Sequence, residues 1–176
     1  MHSQKFIQMK KWCLTFAIAV FLLFFVSGIQ AQTTQTKLNQ VELYRQLTGT
    51  WKYDYNTDTI LFWEIKSFGG GFEVRVRAEL KDRTIFYEAK SFIGYDNKND
   101  RLIESQVKSN SPNIFLYIVW FTSSNRFIEI LLENISSPEK STEKWAFELK
   151  SPDLIETNYM KSDKIIAVSI WNRLKE

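Results

Sequence analysis

Histidine and cysteine are almost absent from this chain, and both lie in its first residues: His2 and Cys13 stand alone in 176 positions. The opening reads as a secretory signal peptide. Met1–Lys11 is basic without an acid, Trp12–Val26 is apolar, and Ala31 offers a small residue at a cleavage edge. The apolar run falls short of the roughly 20 residues that a membrane span needs. Cys13 precedes the apolar core instead of following it, which excludes a lipid-carrying cysteine at the new N-terminus. Removal of residues 1–31 therefore predicts a domain with neither histidine nor cysteine. Such a domain has no disulfide, no thiolate or thiolate-bound zinc, no histidine-ligated haem, and no Ser-His or Cys-His nucleophile.

Net charge goes the same way. Cleavage removes Lys5, Lys10 and Lys11 and no acid, so 23 basic residues fall to 20 against 20 acidic ones. A neutral domain exerts no general pull on nucleic acid or anionic lipid. Calcium-loop spacing of the Asp-x-Asp-x-Asp-Gly kind is missing too. Gly69-Gly70-Gly71 is followed by the strand-like run Phe72–Leu80, not by a helix, so it predicts a hairpin turn instead of a phosphate cradle. Most glutamates alternate with apolar residues and have basic neighbours, as in Glu73-Val74-Arg75-Val76-Arg77, which is a solvated sheet face and not a catalytic acid pair. No catalytic residue, metal ligand or cofactor is assigned.

What is present is β-pattern. After a polar leader, Leu38, Val41, Leu43, Tyr44 and Leu47 recur at helical spacing and predict one short helix of about three turns, stopped at Gly49. From there the period is two. Trp51, Tyr53 and Tyr55 alternate with Lys52 and Asp54; Phe72, Val74, Val76, Ala78 and Leu80 alternate with charges; Trp145, Phe147 and Leu149 do the same. Further strands are predicted at 59–66, 84–94, 101–108, 113–121, 126–133, 154–160 and 165–174, about ten in all. Short Gly, Asn, Asp, Ser and Pro turns separate them, which favours antiparallel neighbours. The organisation predicted is a signal peptide over 1–31, a leader and helix over 32–48, and an all-β, antiparallel up-and-down barrel over 49–176. A two-sheet sandwich fits less economically. Asn134-Ile135-Ser136 matches a glycosylation triplet and is given no role.

Leu47-Thr48-Gly49-Thr50-Trp51 after a short helix, Gly94-Tyr95-Asp96 at a turn, and Trp171-Asn172-Arg173 in the last strand together resemble the bacterial lipocalin-like, calycin-type barrels. The resemblance implies structural roles for Gly49, Trp51 and Arg173, with the guanidinium of Arg173 covering Trp51 at one end of the barrel. It also implies carriage of a small apolar or amphipathic molecule, a lipid included, outside the cytoplasm, secreted or periplasmic, without chemistry. Related barrels that bind haem use a histidine that the mature chain lacks.

Five tryptophans follow Ala31, and a barrel interior lined with aromatics either fills itself or encloses a ligand. Alternation names Trp51, Tyr53, Tyr55, Trp63, Tyr87, Tyr117 and Trp145 as candidate ligand contacts, although a one-residue register error inverts any of them. Asn113–Phe121 is apolar on both faces and needs an outer cover, the N-terminal helix first. Two alternatives remain open: a filled barrel that docks other envelope proteins through Phe115–Phe121, and a carboxylate enzyme with two acids converging in a pocket.

Overall fold

The computed structural model describes residues 37–132 and 141–175. The expected signal peptide and the Asn134 triplet lie outside the described residues. Ten strands form one closed sheet: β1 (Gly49–Asp54), β2 (Thr59–Phe68), β3 (Gly71–Leu80), β4 (Ile85–Asp96), β5 (Arg101–Lys108), β6 (Ser111–Ser123), β7 (Arg126–Leu131), β8 (Glu143–Ser151), β9 (Leu154–Lys161) and β10 (Lys164–Arg173). Each is antiparallel to its sequence neighbours, and β10 returns to β1. This is an up-and-down barrel and not a sandwich. Closure leaves no free sheet edge to guard. The seam is narrowest where it closes, Trp51 facing Arg173 and Lys52 facing Asn172.

The helix, α1, is shorter than its periodicity implies and spans only Gln40–Arg45. Asn39 caps it by accepting from the Glu42 amide, and the amides of Leu47 and Thr48 then turn back onto Tyr44 and Arg45, tightening its exit. It plugs one end of the barrel. The Gln40 side chain both donates to the Phe121 carbonyl and accepts from the Phe121 amide, while Tyr44 packs on Phe72 and Phe127. Leu47 and Trp51 are fully buried beneath it, and Phe127 stacks on Phe147 at 4.3 Å. The helix therefore covers the end of β6 and not its outer face: Ile114 and Leu116 stay exposed.

Gly69-Gly70 is the two-residue hairpin turn between Phe68 and Gly71. Gly71 is needed for space, because a Cβ there would lie 2.2 Å from the Ile93 carbonyl oxygen. Gly71→Ala is expected to cost about 1–3 kcal/mol, as overpacking against backbone does. A thermal melt checks this: an unchanged midpoint would mean that β3 and β4 part more easily than their register suggests.

Candidate functional site

Packed side chains fill the helix end of the barrel, but the other half is hollow. A cavity of about 300 Å3 occupies it and opens away from α1, where Tyr55 is exposed. Aromatic rings supply most of the wall: Tyr53, Tyr55, Trp63, Trp145, Tyr159 and Trp171. They touch in two groups. Trp171 lies 5.4 Å from Tyr53 and 6.0 Å from Trp63 between ring centres, and Trp145 lies 5.2 Å from Tyr159. Leu61, Val74, Val76 and Phe147 complete the apolar surface. Each comes from the inward set of its strand, so strand alternation alone brings residues from across the sequence to one face.

The polar part of the wall is Glu104, Gln106, Glu129, Thr157 and Ser169. Glu104 points inward from β5, in phase with the buried Leu102; Glu129 points inward from β7, in phase with Phe127. Gln106 donates to Glu104 at 3.1 Å and to Ser91 at 3.3 Å. Glu129 is half-buried and lines the cavity. Its carboxyl has no hydrogen-bonding side chain among the described residues. Burial raises both carboxyls above the ordinary glutamate value, Glu129 the further because the charge of Glu104 adds to it. Lys108 is the nearby cation. Burial lowers its ammonium from the ordinary lysine value, against the pull of both glutamates. It donates to the Tyr117 hydroxyl at 2.9 Å and rests 4.0 Å over the Phe115 ring. Two wall atoms are buried without a partner: the Thr157 hydroxyl and the Trp171 indole nitrogen.

The structure separates the candidate contacts. Tyr53, Tyr55, Trp63 and Trp145 meet in the cavity wall. Trp51 faces inward but lies in the filled half, fully buried; its N–H is spent on the Leu47 carbonyl at 2.8 Å and its ring lies under Arg173 at 4.1 Å. Trp51 is thus part of the plug. Tyr87 and Tyr117 also occupy inward positions, opposite Ala78 and Glu104, but neither is in the wall, and Tyr117 is held instead by Lys108 and the edge of Trp145.

Alternation did not single out the acids. Glu104 and Glu129 break the rule that Glu73 and Glu88 obey, for those pair with arginine or lysine on the outer face. Their signal is phase: each shares its strand face with residues that must be buried. Tyr159, Ser169 and Trp171 carry the same phase in β9 and β10.

No known family model and no curated protein matches the chain. What the chain does must therefore be argued from the barrel and its cavity.

Proposed function

We propose that this chain is an exported, lipocalin-like carrier that holds a small amphipathic molecule inside its barrel without transforming it. The observation that carries the reading is the hollow half: a cavity of about 300 Å3, walled by aromatic rings and open at the end away from the helix. That is the size and composition of a small-molecule site, in which apolar area provides affinity and a few polar groups fix orientation. Glu104, Gln106, Glu129 and Ser169 supply such groups in the wall. Export rests on the N-terminal sequence pattern. The lipocalin-like assignment rests on the Gly49-Thr50-Trp51 start and on Arg173 over Trp51.

A titration with the neutral fluorophore phenylnaphthylamine tests carriage. The native chain is expected to bind it, and Ser169→Phe, which places a ring in the cavity, is expected to weaken binding about tenfold or more with the melting midpoint kept. Equal binding by both proteins would place the fluorophore elsewhere and sink the reading.

The second reading, a carboxylate enzyme, is favoured by one observation, the convergence of Glu104 and Glu129 on a single cavity with both carboxyls raised. Incubation with a hydrolysable amphipathic ester, p-nitrophenyl octanoate, separates the two: release of p-nitrophenol no faster than in buffer supports carriage, and accelerated release that is lost in Glu104→Gln supports the enzyme.

A further inference from the structure

We infer that the molecule carried bears a positively charged amine, which Glu104 and Glu129 receive inside the aromatic cavity. This rests on the carrier reading and adds the chemistry of the ligand. The polar wall has two carboxyls and no cation. Lys108, the cation near them, is turned onto the Tyr117 hydroxyl and the Phe115 ring. Glu104 has Gln106 as a donor, whereas Glu129 has no hydrogen-bonding side chain among the described residues. A carboxyl left in this state inside an apolar wall costs stability unless a donor arrives.

Two independent features point to an ammonium. Thr157 lies in the wall at 6 % exposure with its hydroxyl unpartnered, so a small rotation of this side chain presents a further acceptor. The faces of Trp145, Trp171 and Tyr159 attract cations through their ring quadrupoles. A carboxylate ligand would meet two acids, and a neutral hydroxyl could donate one hydrogen bond to Glu129 without balancing its charge.

Amine entry also favours the ionised form of the pair. The titratable groups around the pair are Lys108 on β5, Tyr117 on β6, Tyr87 on β4, Tyr44 on α1, Tyr159 on β9, and Tyr53 and Tyr55 on β1. Burial raises Tyr44, Tyr87 and Tyr117, and a hydrogen bond with Glu143 raises Tyr159, so these four supply no charge near neutrality. Affinity for an amine should therefore climb as pH rises from acid to neutral.

The test is a tryptophan-fluorescence titration with octylamine, octanol and octanoate at neutral pH, on the native chain and on Glu129→Gln. Octylamine is expected to bind about tenfold or more tightly than octanol, octanoate weakest, with the amine preference lost in the variant. Should Glu129→Gln fail to fold, Glu104→Gln takes its place. Equal binding of octylamine and octanol overturns the amine and leaves carriage standing, as does a preference for octanoate or one that survives both substitutions. No binding by any of the three overturns the amine and carriage together.

Discussion

Arg173→Ala should cost about 3 kcal/mol of folding stability and lower the melting midpoint by about 10 °C, one of the two largest effects expected of a single substitution. Arg173 ties its own strand to two separated segments. Its Nε donates to the Pro152 carbonyl at 2.9 Å in the β8–β9 turn, Nη2 donates to Gln46 at 2.8 Å at the helix exit, and Nη1 donates to Thr48. Its Cζ lies 4.1 Å above the Trp51 ring. Truncation leaves three carbonyls without their donor and opens the narrow β1–β10 seam, though partial solvent access to this end softens the loss. Arg173→Lys should recover less than half, because one ammonium does not reproduce a planar fork. Gly49 stands beside it for the same reason: its φ is +122°, and a Cβ there would lie 2.9 Å from Nη1. Ligand binding below the melting midpoint should survive in Arg173→Ala, since the cavity is in the other half. Native-like thermal stability of the variant would show that the plug does not depend on this side chain.

The second large effect is a gain. Glu129→Gln should stabilise the unliganded protein at neutral pH by about 1–3 kcal/mol, because it removes an ionisable group whose charge burial and Glu104 both disfavour. The sign follows from proton counts. Burial raises Glu104 and Glu129 above 4.5, so between that value and their raised ones the folded chain holds protons that the unfolded chain has released. Stability falls as pH climbs through that window. Glu64, Glu88 and Glu148 act oppositely; held low chiefly by hydrogen bonds from Lys66, Arg75 and Lys150, they withdraw their support as pH drops below the ordinary range. Lys108, lowered by burial, acts only between its lowered value and 10.5. The native protein should therefore be most stable in mild acid, and Glu129→Gln should flatten the decline toward neutrality. Denaturant midpoints across pH measure both; a native profile that rises steadily from acid to neutral would remove the buried acids from the account.

The barrel was legible because each strand announces itself twice, by alternation and by a turn. Phe72–Leu80 is the clearest case, its charges all outward and Gly69-Gly70 at its start. The helix was less legible. Leu38 and Leu47 share its spacing yet lie outside it, because they pack as entry and exit under the plug. In the site, alternation placed Tyr53, Tyr55, Trp63 and Trp145 on the inner face, but a period of two carries no information about depth. Trp51 is two residues from Tyr53 and belongs to the filled end. Glu104 and Glu129 carried only the phase of their strands, a faint signal: in strands such as Arg126–Leu131, with Phe127, Ile128, Ile130 and Leu131, both faces are apolar, so phase alone did not single out the acid. Trp120 on β6 belongs to the outer face and remains the marker for docking through that strand.

That marker makes one measurement decisive for carriage. Indole N–H signals of Trp51, Trp63, Trp120, Trp145 and Trp171 are recorded by NMR on the 15N-labelled chain as octylamine is added. Carriage requires Trp63, Trp145 and Trp171 to shift, because they line the cavity, and Trp51 and Trp120 to hold still. A shift confined to Trp120, with the three cavity signals unmoved, would place the ligand on the outside of the barrel and contradict the account.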